Sequence, residues 1–346
     1  MQDIKDYWTD KEKRAEIAKA HTKEMEEKYS KEIKYSIENT EICTSIDILR
    51  TEKQEPENTM VKTRFYLCDV DTVGANLIFA SEDKRIAALN FASYKNAGGM
   101  FIKGSRAQEE CLCHESFLYN VLKENEPYYE ANRKNKNRAL YHNRAIYSPD
   151  IIFEREGRTC YCDVITCAAP NKRAAQRYCN VSDEENSIAL ESRIDFILDL
   201  ARRHKVDILI LGAFGCGVFG QNGDEVAKIF HKLLLREEYD CFESVVFAVP
   251  ASKNGNFQSF YDCFSSEILE VKHLFFTLPS KLARIAIRQV ITELFHRQAG
   301  KVFRKAAAGK VFEKIQGIRF WYLQYAACTN FATGKSKCHG FVQNEM

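Results

Sequence analysis

Three short, almost wholly apolar runs most narrow what this chain can fold into: Ala87-Ala88-Leu89-Asn90-Phe91-Ala92, residues 206–211, and residues 244–249. A strand with one face in water alternates apolar and polar residues, whereas a strand apolar throughout is covered on both faces. Helical patterns separate the runs. They cover residues 108–123, 184–204 (with Ile188, Leu190, Ile194, Phe196, Ile197 and Leu200 on the apolar face) and 224–236. Further strand-like runs fall at 61–70, 139–153 and 161–168. Strands alternating with helices predict an α/β fold, a mostly parallel or mixed sheet between helical layers.

Around this body the pattern is looser. Residues 7–38 set Tyr7, Trp8, Ile17, Met25, Tyr29 and Ile33 among Glu and Lys, predicting one or two amphipathic surface helices. Residues 51–58 form a linker rich in Glu, Lys and Gln. After about Asp262 periodicity weakens, and residues 281–325 read as basic amphipathic helices. The expected division is a helical segment at 1–58 packing on the core, a catalytic domain at 59–265, and a basic, helical extension at 266–346.

The formal net charge of +2 conceals an asymmetry. Residues 271–346 hold 13 Lys/Arg and 3 Asp/Glu; taken from totals of 50 and 48, they leave 37 and 45, so the body is near −8. An acidic body is a poor general nucleic-acid binder, because phosphate neutralisation needs clustered cations; the basic tail is the only segment suited to that contact. No apolar run approaches the ~18–20 residues that span a bilayer. The start of the chain lacks an apolar export segment, so the 13 Cys are expected as reduced thiols in a cytoplasmic protein.

Two glycine loops end predicted strands and enter predicted helices. The first is Asn96-Ala97-Gly98-Gly99-Met100-Phe101-Ile102-Lys103-Gly104, followed closely by Gln108-Glu109-Glu110. The second is Gly212-Ala213-Phe214-Gly215-Cys216-Gly217-Val218-Phe219-Gly220. In open α/β sheets ligands bind beyond the carboxyl ends of strands, where loop amides face an anion. Neither loop is a dinucleotide fingerprint or a Walker loop. Tight turns account for either alone. The Glu109-Glu110 pair fits charge compensation in a first helical turn, or a carboxyl in a crevice whose raised pKa suits it to general acid work.

Asn96–Glu110 resembles the catalytic signature of microbial poly(ADP-ribose) glycohydrolases, in which three glycines precede Gln-Glu-Glu. Leu89–Ser93 is similar to that family's entering strand, and Gly215–Gly220 to its diphosphate-binding loop; the similarity spans roughly residues 60–262. The resemblance implies a macrodomain, three-layer α/β/α with an ADP-ribose cleft at the strand ends. It implies hydrolysis of ribose–ribose O-glycosidic bonds in poly(ADP-ribose), free or on protein, with release of ADP-ribose and no cofactor or metal. Glu110 would be the general acid and then base, and Glu109 would hold ribose hydroxyls. Gln108 and Asn96 would hold the loop and substrate, with Gly98 and Gly99 packing on the distal ribose. Gly215, Cys216, Gly217 and Val218 would donate amides to the diphosphate, Phe219 would press on the ribose, and Gly220 would let the backbone of this substrate-binding loop approach closely. Met100 stands where a third glycine is expected and Ala97 where proline is common. A Met held at positive φ would cost about 1–2 kcal/mol and reshape the ribose pocket. That strain motivates one alternative, an ADP-ribose reader with little turnover; a hydrolase of single ADP-ribose units is a further one.

Other chemistry is weaker. Cys111-Leu112-Cys113-His114 and the Cys160/Cys162/Cys167 set lack the C-x₂₋₄-C spacing of zinc sites, and Cys160 and Cys162 read as core. Cys216 has no nearby His to activate it as a nucleophile. Asn180-Val181-Ser182 fits a glycosylation site that a cytoplasmic chain would not use.

Overall fold

In the computed structural model, which describes residues 10–45 and 63–268, the apolar runs become inner strands of one seven-stranded sheet. The strands are β1 (Glu41–Thr44), β2 (Arg64–Cys68), β3 (Ile86–Phe91), β4 (Arg144–Arg155), β5 (Arg158–Cys167), β6 (Ile208–Leu211) and β7 (Ser244–Ala248). Their spatial order is β1-β4-β5-β3-β6-β7-β2. β5, β3, β6, β7 and β2 run parallel, while β4 is antiparallel to β5 and β1 to β4. The sheet is therefore mixed, as expected.

The helices are α1 (Lys11–Lys28), α2 (Ser30–Glu38), α3 (Thr72–Phe79), α4 (Gln108–His114), α5 (Leu118–Leu122), α6 (Glu126–Lys134), α7 (Lys172–Cys179), α8 (Asp183–Arg203), α9 (Gly223–Leu234) and α10 (Asn256–Cys263). Alternate strand residues feed two apolar layers. Ala87, Leu89, Leu209, Leu211, Val245 and Phe247 pack with α8, α9 and α10. Ile86, Ala88, Ile210 and Val246 pack on the other face with Ala18, Met25 and Ile33 of α1 and α2 and with Leu112 and Phe117.

Two predicted helices are broken. The N-terminal one divides at Tyr29, whose φ of −123° leaves the helical region. The 108–123 helix divides after His114 because β4 captures the chain there. Glu115 O accepts from Glu154 N at 2.7 Å, Ser116 bridges to Phe153, and the Arg155 guanidinium holds the Glu115 carboxylate. The β4–β5 hairpin turns at Glu156 and Gly157, both at positive φ. Tyr7 and Trp8, the linker at 51–58 and the basic segment at 281–325 lie outside the described residues.

α1 buttresses the first glycine loop. The buried Arg14 donates Nε to Gly104 O at 2.7 Å, and Gly104 adopts φ +75° where a Cβ would strike the Lys11 carbonyl. Burying a guanidinium is tolerable only with such a partner.

Candidate active site

β3 parts from β6 after Ala88, so the backbone of Leu89 and Phe91 has no strand partner on that side. Gln108 at the start of α4 supplies one. Its Oε1 accepts from Phe91 N at 2.8 Å, while Nε2 donates to Leu89 O at 2.9 Å and Thr72 Oγ1 at 3.0 Å. The side-chain amide thus continues the ladder and fixes α4 at the strand's end.

The next two residues turn inward, and both carboxylates are buried. Glu109 Oε2 accepts from Ser93 N at 2.7 Å and Oε1 from the fully buried Asn90 Nδ2 at 3.3 Å. Glu110 Oε1 accepts from Met100 N at 2.9 Å and Oε2 from Ala107 N at 2.7 Å. Ala107 has no side-chain oxygen to cap α4, so Glu110 both caps the helix and anchors the loop.

Gly99 makes this approach possible. A Cβ there would stand 2.5 Å from Glu110 Oε1 and 2.9 Å from Glu109 Oε2, and φ is +62°. A Cβ on Gly98, at φ +60°, would stand 2.7 Å from Tyr119 Cδ2. Met100 is not strained: its φ is −116° and its side chain is partly exposed. The positive φ that would have strained a Met at this position does not occur; Gly98 and Gly99, both at positive φ, carry the reversal before it. The strain that motivated a binding-only reading is absent.

Burial pushes Glu109 up to about 8, and the neighbouring Glu110 charge adds to that, against the lowering effect of the Ser93 and Asn90 hydrogen bonds. Two carboxyls this close resist double ionisation. Burial thus favours the protonated form of Glu109.

The second loop follows β6, which neighbours β3, and lies against the segment after β5. Gly215, at φ +76°, presses on Ala169 and Gln221, whose Nε2 donates to Pro170 O at 2.8 Å. Gln221 is buried and exchanges two hydrogen bonds with Asn186 of α8. Aromatic rings link the two loops. Tyr94 stacks on Tyr141 with centroids 4.0 Å apart, and Tyr141 meets Phe219 edge-on at 6.1 Å.

Not every amide of the second loop is free. Cys216 N donates to Ala213 O and Gly220 N to Gly217 O, so both are engaged in turns. The amides of Gly215, Gly217, Val218 and Phe219 have no partner among the described residues and form the available donor set. A Cβ on Gly217 would meet nothing within 4 Å. Of the predicted residues, the structure brings Gln108, Glu109, Glu110, Gly98 and Gly99 together beneath the first loop. Asn96 is exposed and accepts from Gly99 N at 3.1 Å through its carbonyl.

Sequence reasoning missed Asn90, Tyr94, Tyr141 and Gln221. Asn90 carried a signal, a polar residue inside an apolar strand; Tyr94 and Tyr141 carried none, since 47 residues separate them. Burial disfavours the charged forms of these candidates: it lifts Cys111 to about 11 and Cys216 to about 12 and lowers His114 to about 4. Among the described residues, the group within reach of one metal ion is Glu41, Cys43 and His204, on β1 and after α8 rather than at the loops.

Residues 6–156 match the family described as microbial-type PARG, catalytic domain. The structure resembles poly(ADP-ribose) glycohydrolase of Thermomonospora curvata (29% identity, 72% of this chain and 99% of that one, TM-score 0.65). It also resembles that enzyme bound to the inhibitor ADP-HPD (30% identity, 72% and 98%, TM-score 0.62). A third likeness is to the poly(ADP-ribose) glycohydrolase of Deinococcus radiodurans in complex with ADP-ribose (30% identity, 68% and 97%, TM-score 0.60). No curated protein matches the sequence.

Proposed function

The chain belongs to the microbial-type poly(ADP-ribose) glycohydrolase family, and from that premise we propose that it cleaves ribose–ribose bonds of poly(ADP-ribose), releasing ADP-ribose, on a macrodomain scaffold. The observation that carries the reading is the buried carboxyl pair pinned beneath Gly99, Glu110 between two backbone amides and Glu109 with its pKa raised to about 8.

Glu110 acts as the general acid, handing the proton of its own carboxyl to the departing ribose oxygen as the glycosidic bond breaks. Charge then develops on the distal ribose, and a water attacks its anomeric carbon while the same carboxylate takes the water's proton. Glu109, held by Ser93 N and Asn90, orients ribose hydroxyls. The free amides of Gly215, Gly217, Val218 and Phe219 accept the diphosphate, where oriented backbone dipoles offset its charge. Phe219, wedged by the Tyr94–Tyr141 stack, backs the ribose.

The test is incubation of the purified chain with adenine-labelled poly(ADP-ribose), products being resolved by chromatography. Free ADP-ribose is the expected product. Tight polymer binding with no release would overturn the reading in favour of a binding module.

A further inference from the structure

α7 begins five residues after the end of β5 and lies against the far end of the second glycine loop. Arg173 N donates to Phe219 O at 3.0 Å, and its side chain runs along Gly220, whose added Cβ would stand 3.5 Å from Arg173 Nε. Arg177 follows one turn later, a spacing that places it on the same face. Its guanidinium sits 5.3 Å from the ring of Tyr178, which is 72% exposed.

Both arginines are exposed, and neither has an acidic partner among the described residues. Acids are close by, but they are occupied on the neighbouring side of α7. Lys172 pairs with Asp183 at 2.7 Å and Glu225 at 3.7 Å, and Gln176 also donates to Asp183. Elsewhere on the body the exposed Arg64, Arg85 and Arg138 each pair with a carboxylate. Two that do not, beside an exposed tyrosine and abutting an anion-binding loop, form a chemical pattern of their own. Guanidinium groups grip phosphates and aromatic faces stack bases, the combination used on single-stranded nucleotide polymers.

We propose that Arg173, Arg177 and Tyr178 form a subsite for the ADP-ribose unit next to the one being released, the arginines taking its pyrophosphate and Tyr178 its adenine. The proposal rests on the function proposed above and deepens it: the cleft recognises the unit being cut, and α7 recognises the rest of the chain. It also supplies a reason for a long polymer to bind better than free ADP-ribose.

The experiment measures dissociation constants of the full chain, in a Glu110→Gln background that leaves polymer uncut, for ADP-ribose, for poly(ADP-ribose) of defined length and for single-stranded oligoadenylate, with α7 as wild type and with the Arg173→Gln/Arg177→Gln and Tyr178→Ala changes. With α7 as wild type the chain should bind polymer more tightly than ADP-ribose. The paired arginine change should lose about tenfold in polymer affinity and much of its salt dependence, with ADP-ribose affinity and melting temperature unchanged. Tyr178→Ala should lose a smaller factor on polymer alone. The subsite is overturned if polymer binds no better than ADP-ribose, if the variants leave polymer affinity unchanged, or if both ligands weaken together. It is also overturned if oligoadenylate binds as tightly as polymer. Because binding is read apart from turnover, polymer held through α7 but left uncut by the chain with Glu110 intact would refute the hydrolase reading and leave this one standing.

Discussion

The two glycine loops look alike in sequence and are put to opposite use. In the first, Gly99 is enclosed: the space beside it is filled by the Glu110 and Glu109 carboxylates, and a single methyl group would strike both. In the second, Gly217 opens on empty space, with unpartnered amides around it. One loop uses glycine to bring the protein's own acids close; the other uses it to keep room for a ligand's phosphates. Glycine in a loop therefore says only that a Cβ is unwelcome, and the surroundings decide whether the protein or the substrate needs the room.

The largest expected effect tests the first half of that contrast. Glu110→Gln should reduce ADP-ribose release about a thousandfold, measured by initial rates on labelled polymer, while ADP-ribose affinity stays close to wild type. The amide cannot donate the proton, and its NH₂ faces a backbone N–H where an oxygen was, so a loss of about 1 kcal/mol in stability should accompany it. Equal loss of rate and affinity would place Glu110 in binding and not in proton transfer.

Next comes the paired glycine test. Gly99→Ala should cost about 1–2 kcal/mol of stability, from φ +62° alone, and lower turnover about a hundredfold by displacing the carboxylates. Gly217→Ala should leave the melting temperature unchanged and weaken ADP-ribose about tenfold by intruding on the diphosphate. If both variants behave alike, the contrast fails.

The contrast also shows how far the sequence could be read. The strand, loop and helix from Ala87 to Glu110 were legible because an apolar run, two glycines and Gln-Glu-Glu are contiguous. Their internal division was not. Nothing local says that Gly98 and Gly99 reverse the chain while Met100 does not. The Cys216 amide, expected on the diphosphate, is spent on Ala213 in a turn visible only in three dimensions. The break after His114 depends on Arg155, 40 residues downstream. α3, α6, α7 and α10 are short, eight or nine residues each, and owe their stability to packing more than to local pattern.

A smaller effect is in the pH dependence of stability. Glu109 is raised from an ordinary value of 4.5 to about 8. Below pH 4.5 folded and unfolded chains both hold the proton, so the group is neutral to stability. Between 4.5 and about 8 the unfolded chain releases it and the folded one does not, so stability falls as pH rises; above 8 both are ionised and the loss is complete. Melting temperatures of wild type and Glu109→Gln across pH 5–8 should therefore diverge, the variant gaining on wild type toward pH 8. Parallel profiles would show that Glu109 is not the group holding the proton.

The smallest effect is expected at Met100, and it separates sequence pattern from geometry most sharply. By pattern, Met100 stands where a relative would carry glycine, so Met100→Gly should release strain and raise turnover. By geometry, φ is −116°, which any residue adopts, and what the site uses of this residue is its backbone N–H on Glu110 Oε1. That donor is the same in glycine. The substitution should hold turnover within about threefold of wild type and lower stability by about 0.5–1 kcal/mol, since glycine has more backbone freedom to lose on folding. A gain of tenfold or more, read from the same polymer assay, would mean that the half-exposed side chain obstructs the ribose. The first loop would then resemble the second, with glycine at 100 valued for the substrate's space and not for the protein's own acids.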